Sequence, residues 1–449
     1  MVCIGLVITA LTLGMTATAA SGASGLKDLG HGVSADQIKV GIAIIDYDSI
    51  AQYIHVARGD QQKTAQIFVD YINSHGGVDG RKIKPYFIKY QPIPGRQPDP
   101  LSMCTTWTED DGVFAVLGVV IDMFSQGEGI LCITKKHNTI HIGHELEQPW
   151  IDQSPPGLLL TPDTAKENAA KALLALVVKG GQLKGKTVGI ITDQDSAGRV
   201  KDTVLPALKK ANIKTGSEAV LSITGEDTTA AQAQLDSFIA KWKSEKVNAI
   251  YMAGLTASSK QFVEKIKAAI PNALLLADSD STSEQAQDEV AAHVSPNPYE
   301  GMLSVTGELA AARWANKSPL LQQCVNIYQK ATGTTIPAPG KEPKDKDGNT
   351  IELATAVTDF CGELFMFRTI AERVGPDLTI PNWQKTVNGF GKIDIVPTKV
   401  ASLCKGKYTA DDALGLVSFD SKIGDSGDWK ALTPVQDFSN GVCTKSAKS

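Results

Sequence analysis

The chain has 449 residues, 42% of them hydrophobic and 21% charged, with a formal net charge of -5. That is an ordinary globular composition, long enough for two lobes. It excludes a nucleic-acid partner, because there is no basic block and no interleaving of Lys or Arg with aromatics.

Residues Val2 to Met15 are almost wholly apolar, and Ala17-Thr18-Ala19 has the small-x-small form of a signal peptidase site. The run is too short for a comfortable membrane span. It flows into Ser21-Gly22-Ala23-Ser24-Gly25, which reads as a disordered mature terminus rather than a buried first element. Residues 1–19 are therefore expected to be a signal peptide, although no Lys or Arg follows Met1 to form the usual basic region. Beyond it no apolar stretch is long enough to cross a bilayer, so stable membrane insertion is not expected.

Of 7 cysteines, Cys3 would leave with the signal, and Cys104, Cys132, Cys324, Cys361, Cys404 and Cys443 would remain. An even count in an exported chain favours disulfides, with fifteen pairings formally open. Sequence neighbours suggest Cys104–Cys132, Cys324–Cys361 and Cys404–Cys443. No Cys-x-x-Cys occurs, which disfavours structural zinc or a redox dithiol, and no Cys stands where a lipid anchor needs one. The expected location is the periplasm or cell envelope, or outside the cell.

From residue 36 the order is strand, helix, strand, helix. Ile38 to Ile45 is a strand, and Gln61 to Asn73 a helix with Ala65, Phe68, Val69 and Ile72 on one face, ended by Gly76-Gly77. Asp60 of Arg58-Gly59-Asp60 falls at the start of that helix and reads as its cap. Lys82 to Tyr90 is the next strand. Val113 to Ile121 is continuously apolar, as a buried parallel strand should be. Asp122 would cap the helix after it, and Thr139 to Gly143 is another strand. Thr161-Pro162-Asp163 then opens a helix through Val178, with Asp163 suited to cap it. Strands follow at Lys186 to Thr192, Ala219 to Ile223, Val247 to Ala253 and Ala273 to Ala277, with helices between them, and Gly301 to Thr306 is a strand at the junction. Two α/β units thus stand in tandem, near 36–160 and 161–305. The remainder includes helices at Leu320 to Lys330 and Leu353 to Arg373, an exposed mobile loop at Pro337 to Asn349 and a late strand at Leu414 to Asp420. It holds too few elements for a third domain, so it completes both lobes: 36–160 plus 306–408 for the first, 161–305 plus 409–449 for the second.

In parallel α/β sheets, ligands sit beyond the carboxyl ends of the strands. Every such exit here is polar. The candidate ligand contacts are Tyr47 and Tyr53 after the first strand, Asp122, Met123 and Phe124 after the third, and Gly143 and His144 after the fourth. In the second unit they are Ser196, Leu255, Thr256, Asp278 and Asp280. Taken singly, the Asp and Ser residues could merely cap helices. Catalytic constellations are missing: there is no Gly-x-Gly-x-x-Gly after the first strand, no phosphate loop, no Gly-x-Ser-x-Gly and no His-Glu-x-x-His. No catalytic residue, cofactor or metal is expected. His137, His141 and His144 beside Glu145 lie close in sequence, but strand alternation turns them to different faces.

The first strand, Gly76-Gly77-Val78-Asp79-Gly80-Arg81-Lys82-Ile83, Val116-Leu117-Gly118, Thr187 to Asp193 with Ser196-Ala197-Gly198, Val247 to Gly254 and Glu300-Gly301-Met302 together carry a resemblance. The chain resembles type I periplasmic binding proteins of the leucine/isoleucine/valine-binding family, the substrate-binding components of branched-chain amino acid type ABC transporters. The resemblance runs nearly the whole mature length. It implies an α/β fold of two doubly wound Rossmann-like lobes, joined by a three-crossover hinge and closing over a small solute. It also implies ABC permease subunits as partners and, for Cys104–Cys132, a place where related receptors carry a disulfide. The protein is expected to be a monomer.

The departures concern the cargo. Amino-acid-binding members hold the α-carboxylate and ammonium with Ser/Thr and backbone groups at the third and fourth exits, assisted by a second-lobe Tyr and an acidic residue. Here these exits read Ile121-Asp122-Met123 and Gly143-His144-Glu145, and the second-lobe Tyr-Gly becomes Ser196-Ala197-Gly198. A carboxylate near Asp122 would lose donors and meet like charge, while Tyr53, Met123 and Phe124 would offer an apolar wall. The expected solute is not a simple free amino acid. Two other classes use the same features less well: an extracellular ligand sensor serving a separate signalling partner, and an exported α/β hydrolase-like enzyme.

Overall fold

The computed structural model describes residues 26–50, 56–91, 97–118, 127–222, 229–254, 260–278, 286–287, 290, 294–346, 350–396, 398, 400–424, 427–438 and 442–445. The expected signal peptide and the candidates Tyr53, Asp122, Met123, Phe124, Leu255, Thr256 and Asp280 lie outside them. The first half contributes β1 (Gln37–Ile45), β2 (Val56–Ala57), β3 (Lys82–Tyr90), β4 (Ala115–Gly118), β5 (Ile140–Gly143) and β6 (Leu159–Leu160). Next come β7 (Thr187–Asp193), β8 (Lys214–Leu221), β9 (Ala249–Ala253), β10 (Leu274–Ala277) and β11 (Leu303–Thr306). The last are β12 (Thr350–Ile351), β13 (Gly391–Lys392), β14 (Ser402–Leu403), β15 (Ala413–Asp420), β16 (Asp428–Ala431) and β17 (Gln436–Asp437).

Two sheets form two lobes. One runs β3-β1-β4-β5-β6 and is parallel throughout. The other runs β16-β15-β11-β10-β9-β7-β8, and its β15 and β16 are antiparallel additions from the late chain. Each parallel part steps outward from its first strand in the same order, so each has a switch point beside that strand, at β1/β4 and β7/β9. Alternation explains why both faces of each sheet are covered. Val40, Ile42 and Ile44 of β1 join Ala65, Phe68, Val69 and Ile72 of the helix Gln61–Ser74, while Ala43 and Ile45 join Met103, Trp107 and Ile133 on the opposite face. Likewise Ile250 and Met252 of β9 face one core, and Ala249, Tyr251 and Ala253 the other. Each large apolar side chain so buried stabilises the fold by about 1.5–3 kcal/mol.

The Gly76-to-Ile83 turn sits at the amino end of the first sheet, because Lys82 pairs with Gln37 where both strands begin. Gly77 has φ +68 and lies against the Arg81 carbonyl, leaving no room for a Cβ. Asp60 caps the Gln61–Ser74 helix, accepting from Lys63 N at 2.9 Å. Disulfides join Cys104 to Cys132, Cys324 to Cys361 and Cys404 to Cys443, with Cα–Cα distances of 6.2, 5.9 and 5.4 Å.

Some local expectations need correction. Asp163 does not cap the next helix: Lys166–Lys179 begins after Ala165, and no side chain caps it. The expected strand at Val113 to Ile121 is described only as Ala115–Gly118. The Pro337-to-Asn349 segment is pinned along its described part, with Lys344 bridged to Thr350 and Ile351 N donating to Pro343 O at 2.8 Å.

The chain passes between the sheets after β6, after β11 and before β15. These passes are bonded to each other: Ala410 N donates to Thr161 O at 2.8 Å, Asp411 N to Pro162 O at 3.1 Å, and Thr306 pairs with Gly415.

Candidate functional site

The carboxyl ends of both sheets are rich in side-chain contacts. At the β1 exit the Asp46 carboxylate meets Lys89 at 2.9 Å, and the Tyr47 ring lies under the Arg58 guanidinium at 5.1 Å. At the β7 exit Asp193 Oδ1 accepts Ser196 N at 2.8 Å. Gly254, at φ +64, packs so closely on Asp193 and Ser196 that a Cβ would collide with both.

Two charged clusters dominate. In the second lobe Arg199 is fully enclosed; its Nε donates to Asp278 Oδ2 at 2.7 Å, and its Nη1 donates to Glu147. Tyr251 OH also donates to Asp278, at 3.0 Å. Burial works against the Arg199 charge, yet Asp278 and Glu147 outweigh it and hold the guanidinium well above its ordinary pKa. Burial pushes Glu147 up to about 8 against the pull of Arg199. In the first lobe His144 stands between Asp163, at 2.6 Å from Nδ1, and Glu363, at 3.3 Å from Nε2. Burial disfavours its charge, but the two acids raise its pKa well above 6.5. Glu363 is buried in an apolar helix and pushed to about 7.

Between these clusters lies a cavity of about 150 Å³. Its walls come from all three chain passes, with Asp163 and Lys166 from the first, Thr306 to Glu308 from the second, Asp411 and Leu414 from the third, together with Glu145 of the β5 exit, Asp278 and Arg313. Burial raises Asp411 to about 7. Carboxylates outnumber cations on this lining, and Lys166 is already paired with Glu145.

Of the described candidates, Asp278 lines the cavity directly. His144 reaches it through Asp163, and Gly143 is a buried strand end. Tyr47 is engaged by Arg58, and Ser196 is buried against Asp193 and Gly254. The three nearby histidines do not converge. His137 meets Glu109 at 3.3 Å, while His141 is buried on Val116 O at 3.1 Å, its pKa lowered to about 4 by desolvation. Among the described residues, one grouping has metal-ligand spacing, Cys104, Cys132 and His137; both sulfurs are in a disulfide and offer no thiolate. Residues not anticipated include Glu147, Asp163, Lys166, Arg199, Glu363 and Asp411. Glu363 carried a signal, a lone acid inside the apolar run Phe360 to Phe367.

The family described as periplasmic binding protein matches residues 55–340 of this chain, well over half of it. No protein with a curated description matches the sequence. Among solved structures, a fatty acid ABC transporter substrate-binding protein from Thermomonospora curvata is 16% identical, with a TM-score of 0.62 over 92% of this chain and 95% of its own. An ABC transporter solute binding protein from Rhodopseudomonas palustris, in complex with 3,4-dihydroxybenzoic acid, is 12% identical, with a TM-score of 0.60 over 90% and 98%. A leucine binding protein from Thermotoga maritima is 12% identical, with a TM-score of 0.62 over 89% and 99%. These likenesses carry the fold, two parallel-sheet lobes crossed three times by the chain, and with the sequence match they place the protein: it belongs to the periplasmic binding protein family, whose members bind small solutes.

Proposed function

We propose that this protein captures a small solute between its lobes outside the cytoplasm and delivers it to the permease of an ABC transporter, and that the solute is not a plain free amino acid. Residues 1–19 direct export. The working unit is a monomer, with lobe 1 made of 36–160 and 306–408 and lobe 2 of 161–305 and 409–449. Function is closure without chemistry: the solute touches both lobes, so the shut form gains population when it binds.

The observation that carries this reading is the cavity among the three chain passes. An α-carboxylate placed there would face Asp163, Asp278 and Glu308 beside Asp411, against two cations on the lining, Arg313 and a Lys166 that Glu145 already holds. The Ser/Thr donors that amino-acid-binding relatives use are replaced at the β5 exit by His144 and Glu145. Structural neighbours bear names that span leucine, a fatty acid and a dihydroxybenzoate, so the fold itself leaves the cargo open.

Calorimetry on natively purified protein tests the proposal. Plain amino acids should give no tight heat signal, whereas other polar or aromatic solutes should include a binder. Sub-micromolar binding of leucine, valine or another plain amino acid, with no other solute bound, would refute it.

A further inference from the structure

The β5 exit does not end in free polar groups. Five consecutive residues of lobe 1, His144 to Gln148, each bond to the chain that enters or lies within lobe 2. His144 Nδ1 lies 2.6 Å from Asp163 Oδ2. The Glu145 carboxylate pairs with the Lys166 ammonium, and the Leu146 carbonyl accepts Lys166 N at 3.1 Å. Glu147 accepts from the Arg199 guanidinium, and Gln148 N donates to Glu167 Oε2 at 2.6 Å. The last bond caps the helix Gln148–Gln153 from the other lobe, since Glu147 makes no cap bond of its own.

We propose that this run is a solute-independent latch between the lobes, with Arg199 as the residue that positions it. Arg199 is suited to that role because it is fixed within lobe 2 before it reaches lobe 1. Its Nε and Nη2 bond to Asp278, which is itself held by Tyr251 OH of β9. A pre-set planar guanidinium loses little rotamer freedom when it engages Glu147. The bonds to Asp163, Lys166 and Glu167 lie beside the first chain pass, so lobe rotation loosens them less than the bond to Arg199. Arg199 follows β7, away from the first chain pass, so its bond to Glu147 is the one that an opening motion stretches most. A contact made in the closed arrangement and lost in the open one biases the equilibrium whether or not solute is present. It also removes Glu145 and Glu147 from the groups that could hold cargo.

Small-angle X-ray scattering and amide hydrogen exchange on the solute-free full chain test the latch without knowledge of the solute. Glu147→Ala cuts the reach to lobe 1 but leaves Arg199 on Asp278, so lobe 2 stays paired. The expected result is a larger radius of gyration and maximum dimension, and roughly tenfold faster exchange across 144–148 and 163–167 with β9 unchanged. Glu147→Gln, which keeps an acceptor for Arg199, should restore the wild-type profile. Unchanged scattering and exchange in Glu147→Ala would overturn the proposal. So would faster exchange everywhere, β9 included, which marks general loss of stability, or a Lys166→Met protein that opens as far as Glu147→Ala.

Discussion

Two arginines, Arg81 and Arg199, are buried among the described residues, and they are held in opposite ways. Arg81, at the amino end of the first sheet, spends its guanidinium on backbone carbonyls: Nε to Ser34 O at 2.8 Å and Nη2 to Lys27 O at 3.3 Å. It straps the entering chain to the turn before β3. Arg199, at the carboxyl end of the second sheet, is met by Asp278 and Glu147. The first is a scaffold device whose hydrogen-bond partners are neutral, with Asp79 and Asp377 acting on it through space. The second is a counter-charge whose partners would be stranded without it. The turn that most clearly carries the family resemblance therefore lies at the far end of its sheet from the cavity, and the features that bear on cargo lie where the resemblance weakens.

The comparison can be broken by substitution. Arg199→Met should cost about 3–5 kcal/mol, because it leaves the Asp278 carboxylate in a closed site without its cation and Glu147 without its donor. Urea unfolding should show it as a lower midpoint. Adding Asp278→Asn to that variant should recover part of the loss. Gly77→Ala forces a side chain into a left-handed backbone against the Arg81 carbonyl and should cost about 2–3 kcal/mol by the same measurement. Arg81→Met should cost less, about 2 kcal/mol, since it removes charge-assisted bonds to carbonyls and leaves no carboxylate without a hydrogen-bonded partner. Equal losses at Arg81 and Arg199 would mean that the partner's charge does not decide the cost.

Much of the architecture was readable from periodicity. The helix Gln61–Ser74 buries the four apolar residues its spacing predicts, and β1 from Val40 onward and β9 are the apolar runs that a doubly covered sheet requires. The disulfides of the structure join sequence neighbours. The site was less readable, because its logic is long-range. Asp163 looks like a cap, which is what an Asp just before a helix ordinarily is, but His144 takes its carboxylate instead. Arg199 follows Ser196-Ala197-Gly198 directly, and nothing local announces a partner 79 residues further on. Asp278, expected to meet ligand, lines the cavity with its carboxylate already committed to Arg199 and Tyr251.

The last expected effect depends on pH and bears on why the carboxyl end carries charge at a cost. Asp411, in the third chain pass, accepts Ala413 N at 2.9 Å, but burial first and then the neighbouring Asp163 and Asp412 raise it from 3.8 to about 7. The folded protein thus keeps a proton that the unfolded chain releases, so stability falls as pH rises from near 4 through about 7. Asn cannot ionise, yet it keeps the acceptor oxygen. Asp411→Asn should match the wild type at low pH and exceed its stability by up to about 4 kcal/mol at about pH 8, as read from unfolding curves at both ends of the window. His141, held near 4 by burial, slopes the other way below 6.5, but it is common to both proteins and cancels in the difference. His144 contributes fully below 6.5 and progressively less above it, because its pKa is raised well above that value, and this slope too is common to both proteins. A stability gap that stays constant with pH would show that Asp411 is already ionised in the folded state. The cavity would then present one more full negative charge to its solute than a protonated Asp411 allows.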